Sequence, residues 1–205
     1  MTGLGVEQAR AIGFALARNA VRVDRVVTSG LVRTRSTAEH LMAAGLIAAP
    51  IEHWPDLEEI RGGRLGAIPE EQLRSAFITP FEGPVPLDTR FLGGETVGEL
   101  LDRVLPALQR LLGQQDWDTA LLVLHGGVNR ALLSWLLTGQ RIFLGGFEQS
   151  PGCLNVIDVG ASTASNIVRM LNYTPLDALH TSTRLSTMEA LLERYQAVRE
   201  SRLTN

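Results

Sequence analysis

The sequence predicts an α/β domain, a three-layer α/β/α sandwich with a mainly parallel central sheet. Three observations carry that prediction. Helix-period and strand-like segments alternate almost throughout the 205 residues. The run Ala120-Leu121-Leu122-Val123-Leu124 is continuously apolar, as expected of a strand buried on both faces. Strands hand over to loops or helices at Thr28-Ser29-Gly30 and His125-Gly126-Gly127, the kind of strand end where open α/β sheets gather ligands.

Taken in order, residues 5–18 put Val6, Ala9, Ile12 and Leu16 on one helical stripe, with Thr2 as its N-cap. Residues 25–28 form a short β-branched strand, and the helix after it ends near Gly45, a residue suited to the position just past a helix. Residues 51–54 form a strand stopped by Pro55. Residues 61–94 are rich in Gly and Pro, with a helix signal only at 69–77, and read as an irregular lid or insertion rather than core. Thr96-Val97-Gly98-Glu99 fits a capping box opening a helix towards Leu112, which Pro106 should kink or split. Beyond the apolar strand, a helix over 128–137 ends at Gly139, and strands near 154–159 and 167–172 close the domain. Met188, Leu191, Leu192, Tyr195 and Val198 form a stripe suited to docking on the body. The expected organisation is one domain over 1–180 and a C-terminal helical extension over 181–205.

Composition narrows the function. At 45% hydrophobic and 20% charged, the chain has the balance of a soluble globular protein. No apolar run reaches the roughly 18 residues of a membrane span, and the N-terminus has no signal-peptide pattern. A single cysteine, Cys153, excludes an intramolecular disulfide and fits a reducing cytoplasm. The four histidines lack the close spacings of zinc sites, so no metal or other cofactor is expected. A net charge of −3 argues against nucleic acid as a partner. All 19 basic residues are arginine, which fits either bidentate anion recognition or a codon bias.

Three stretches carry candidate chemistry. Arg33, in Ser29-Gly30-Leu31-Val32-Arg33-Thr34, falls in the first turn of a helix, where its guanidinium and free backbone N–H groups can face one anion; alone, it could equally be a solvated arginine. His125 ends a buried strand before two glycines that let backbone approach a ligand, which makes Gly126 a candidate phosphate contact. Glu59, in Leu57-Glu58-Glu59-Ile60, could donate a proton to a leaving oxygen if burial raised its pKa, and Glu58 stands beside it.

In this order and spacing, the stretches resemble the histidine-phosphatase (phosphoglycerate-mutase-like) superfamily. Its S-x-L-x-R-[TA]-x-x-T-A pattern is matched by Ser29, Leu31, Arg33, Thr34, Thr37 and Ala38, and its H-G-G by His125-Gly126-Gly127. Leu57, Glu59 and Ile60 match L-x-E-I, and Gly93-Gly94-Glu95-Thr96 matches its G-G-E-[ST] helix entry. Thr2, Gly5, Gln8 and Ala9 match L-T-x-x-G-x-x-Q-A, with Met1 where leucine usually stands. The resemblance runs from Met1 to about Asn172. It implies metal-independent hydrolysis of a small phosphorylated substrate through a phosphohistidine, with a phosphatase favoured over a mutase. His125 would be the second histidine of the site, Arg33 a phosphate-binding arginine and Glu59 the acid.

The family opens with a strand ending in Arg-His-Gly, which carries the nucleophile, and no such tripeptide occurs here. His40, His53 and His180 are not convincing substitutes. Two expectations follow. Either the native protein starts upstream and this sequence begins at an internal methionine, or the chain is a non-catalytic phospho-ligand-binding remnant, rescued as a homo-oligomer. An esterase lacks its G-x-S-x-G elbow, and a nucleotide site lacks G-x-x-x-x-G-K-[ST].

Overall fold

The structure, a computed structural model, describes residues 1–203; Thr204 and Asn205, the end of the expected extension, lie outside the described residues. The first helix, α1 (Gly3–Arg18), is capped by Thr2, whose hydroxyl accepts from the Gly5 N–H at 3.1 Å. Strand β1 (Arg25–Thr28) leads into helix α2 (Val32–Gly45), and α1 lies directly against α2. Gly13 makes that approach: a Cβ there would fall 2.2 Å from the Leu41 carbonyl.

Strand β2 (Ile51–His53) pairs parallel to β1, and β4 (Ala120–Val123) pairs parallel to its other side, in the order β2-β1-β4. Val26 and Val27 of the central strand are fully buried. Strands β6 (Leu154–Asp158) and β7 (Ile167–Tyr173) form a separate antiparallel pair. The mixed α/β architecture with a parallel central sheet is therefore as expected. The burial of β4 is not. Ala120, Leu121 and Leu122 are only half-buried, because β4 is paired along one edge alone among the described residues. The outer edge of β6 is likewise unpaired with β4. Leu121 and Leu154 nevertheless pack on the same α1–α2 cluster of Ala9, Ile12, Leu16 and Leu41, so α1 underlies both edges.

The segment 61–94 departs from its reading as a lid outside the core. It holds helix α3 (Glu70–Ile78) and the two-residue strand β3 (Pro84–Val85), antiparallel to β5 (Phe143–Leu144). Leu73, Phe77, Val85, Phe91 and Leu92 are all buried in the main core. Its Gly and Pro residues mark turns between short elements, and most of its large apolar residues point inward, Leu87 being exposed.

Helix α4 (Val97–Leu112) opens with the capping box: the Glu99 N–H donates to Thr96 Oγ1 at 3.1 Å and the Thr96 N–H to Glu99 Oε2 at 2.7 Å. Pro106 does not split it. Proline removes one N–H, yet Pro106 is on the exposed side, where water can satisfy the freed carbonyl, while Val97, Leu100, Leu101 and Val104 anchor the other side at 0% exposure. Helix α5 (Gly126–Thr138) follows β4 and ends on Gly139 in the left-handed conformation. The last helix, α6 (Thr187–Leu203), docks through Met188 and Leu192, with Tyr195 against Phe77; Leu191 and Val198 of the expected stripe stay exposed.

Candidate active site

The β1–α2 turn and the β4–α5 junction meet at the carboxyl end of the parallel sheet. Arg33, in the first turn of α2, donates from Nε to His125 Nδ1 at 3.1 Å. The other ring nitrogen, Nε2, lies 2.8 Å from Ser29 Oγ, which is 2.9 Å from Thr34 Oγ1. Ser29, Thr34 and His125 are buried at 1%, 2% and 6% exposure, whereas Arg33 is exposed and its two Nη groups make no bond among the described residues. Burial, with Arg33 and then Arg103 adding positive charge nearby, pushes the His125 pKa down to about 4. The imidazole is neutral at physiological pH.

Glu59 reaches the same junction from the other side. One carboxylate oxygen accepts from the Ile60, Gly127 and Val128 N–H groups at 3.0, 3.1 and 3.3 Å, and the other from Gly127 at 3.2 Å. It thereby satisfies donors in the first turn of α5 that have no intrahelical partner. Gly127 is required there, since a Cβ would fall 2.6 Å from Glu59 Oε1. These bonds tie the Glu59 side chain to the start of α5. The Gly126 N–H makes no such bond among the described residues, and its carbonyl accepts from Arg130 Nη1 at 3.2 Å. Glu58 faces Arg61 at 3.6 Å.

Sequence reasoning missed Arg103. From α4 it donates to the carbonyls of Asp56, Glu58 and Glu59 at 2.8, 2.6 and 3.1 Å, and to both oxygens of Glu95 at 2.8 and 2.9 Å. Burial raises the Glu95 pKa, but the Arg103 and Arg61 contacts outweigh it and the net shift is downward. This cluster fixes the loop that carries Glu59. Ser29 and Thr34 were visible as motif residues without a role. Among the other histidines, His53 Nδ1 lies 2.8 Å from Thr28 Oγ1 and His180 Nε2 lies 2.7 Å from the Asn172 carbonyl; neither these nor His40 bonds to Arg33 or His125. No group of metal-ligating side chains and no membrane-spanning helix occurs among the described residues.

An arginine and a neutral histidine thus converge beside a helix N-terminus at a strand end. The family model of the histidine phosphatase superfamily (branch 1) matches residues 1–173, and the chain belongs to that superfamily. It is 34% identical over 137 residues to a metal-independent phosphoserine phosphatase of Arabidopsis thaliana, covering 63% of this chain and 55% of that protein, so it spans little more than half the length of that relative. In fold it resembles the alpha-ribazole phosphatase of Shigella flexneri, with a TM-score of 0.64 at 23% identity, over 83% of each chain. A mycobacterial glucosyl-3-phosphoglycerate phosphatase solved with inorganic phosphate also scores 0.64, at 19% identity over 85% of this chain and 88% of that one.

Proposed function

We propose that these residues form the phosphate-holding part of a metal-independent phosphomonoesterase that works through a phosphohistidine. The observation that carries the reading is the Arg33–His125 pair, 3.1 Å apart at the carboxyl end of a parallel sheet in a member of this superfamily. Arg33 places its free Nη groups against the equatorial oxygens of a phosphoryl group, where transfer concentrates negative charge. The Gly126 N–H, not among the amides taken by Glu59, adds a second contact. His125 completes the cradle as the second histidine.

The nucleophile belongs on a strand paired to the edge of β4 that has no partner among the described residues. A strand there would end beside Arg33 and His125, and an Arg-His-Gly at its end would bring the attacking imidazole and a second arginine. Glu59, bound to the first turn of α5, is the candidate acid for the leaving-group proton, with Glu58 adjacent. The substrate class is a small phosphomonoester.

The second reading, a non-catalytic phospho-ligand-binding protein, is favoured by one fact: no histidine other than His125 bonds within the site among the described residues. Hydrolysis of p-nitrophenyl phosphate in the presence of EDTA separates the two. A chain carrying the Arg-His-Gly strand is expected to turn over, and Arg33→Ala is expected to lower kcat/KM by about 100-fold or more, the scale of one lost transition-state contact. Unchanged activity in Arg33→Ala overturns the site assignment. No turnover by the extended chain leaves the binding-only reading standing.

A further inference from the structure

We infer that Ser29 and Thr34 are positioning residues that lock His125 in the Nε2–H tautomer, leaving Nδ1 as a bare lone pair towards Arg33. The lock follows from counting protons along the chain of contacts. Thr34 Oγ1 lies 2.9 Å from the Leu31 carbonyl, which can only accept, so the single Thr34 hydroxyl proton is spent there. Ser29 Oγ, 2.9 Å from Thr34 Oγ1, must then be the donor in that contact. With its one proton used, Ser29 Oγ can only accept from His125 Nε2 at 2.8 Å. The ring proton therefore sits on Nε2.

The opposite edge of the ring gives the same answer independently. Arg33 Nε always carries hydrogen and donates to Nδ1 at 3.1 Å, which requires a lone pair on Nδ1. The charged groups around the ring are Arg33 from α2 and Arg103 from α4, both disfavouring a second proton, while Glu59 from the preceding loop is turned to the α5 amides. Neither Ser29 nor Thr34 reaches the ligand side of the ring. Their part is to choose which nitrogen is basic.

A consequence rests on the phosphate-site reading above. A bare Nδ1 cannot donate to a phosphoryl oxygen, so an anion that displaces the Arg33 contact must bring a proton onto Nδ1. Phosphate binding is then coupled to proton uptake at His125, and the ring passes from neutral in the empty site to imidazolium in the filled one.

Long-range 1H–15N NMR of the ring nitrogens tests the lock in the 205-residue chain as it stands. At pH 7 the Nδ1 resonance is expected in the unprotonated range and Nε2 in the protonated range; the reverse pattern overturns the proposal. Arg33→Ala removes the donor at Nδ1 but leaves the relay, and is expected to keep the pattern. Arg33→Ala/Ser29→Ala is expected to lose it, with both resonances moving to intermediate values. A pattern already averaged in Arg33→Ala means that Ser29 and Thr34 have only a packing role, and overturns the proposal. Saturation with inorganic phosphate is expected to move Nδ1 into the protonated range. If it moves nothing while the tautomer pattern holds, the lock stands and the phosphate reading fails.

Discussion

His125 ties the chemistry of the site to the stability of the fold. Its pKa is depressed in the folded chain to about 4, against about 6.5 for an exposed histidine, so the unfolded chain takes up a proton first as pH falls. The stability that comes from a neutral ring is therefore fully present above about pH 6.5 and is lost as pH drops towards 4. Its size is on the order of 3 kcal/mol. Urea unfolding of the wild type is expected to weaken across that window, and the difference between wild type and His125→Gln is expected to shrink with it. A difference that stays constant from pH 7 to pH 4.5 would mean that the ring titrates normally. That Arg33 and His125 would lie together could be read from sequence because each stands in a recognisable motif just past a strand. The roles of Ser29 and Thr34 could not, because a relay is defined by which atom donates to which.

Helices with strong local signals were readable in the sequence, and short pairings were not. Thr2 and the Thr96–Glu99 box announced α1 and α4 because capping is a contact between residues three apart. Strands β3 and β5 are two residues each and exist only because Val85 and Phe143, 7% and 1% exposed, come together from distant parts of the chain. The same reason hid the inward face of residues 61–94. Phe77 is fully buried and stacks at 5.9 Å on Tyr195 of α6, so this segment and the C-terminal helix depend on each other. Phe77→Ala is expected to cost about 3–5 kcal/mol, as for other buried aromatics. A loss below about 1 kcal/mol in denaturant unfolding would show that the segment is a detachable lid after all. Arg103 escaped notice because three of its partners are backbone carbonyls of residues 56–59, a contact that leaves no residue type to look for, and its side-chain partner Glu95 is eight residues away in the chain.

Across the whole molecule, the sheet falls into two parts that share one helix. Strands β2-β1-β4 and β6-β7 share no ladder among the described residues, and α1 with α2 covers Leu121 of one part and Leu154 of the other. An apolar run as regular as 120–124 predicted burial on both faces, and its half-exposure traces to the edge of β4 that pairs with no strand among the described residues. Under the proposed function, a strand paired to that edge would cover β4 and bring the phosphoryl-accepting histidine beside Arg33 and His125. Mapping the phosphorylated residue by mass spectrometry tests it, after a brief pulse of phosphomonoester and an alkaline quench, in a chain bearing the Arg-His-Gly strand. The phosphoryl group is predicted on the histidine of that strand, with His40, His53, His125 and His180 unmodified. Phosphorylation of any of those four, or turnover by residues 1–205 alone, would contradict it.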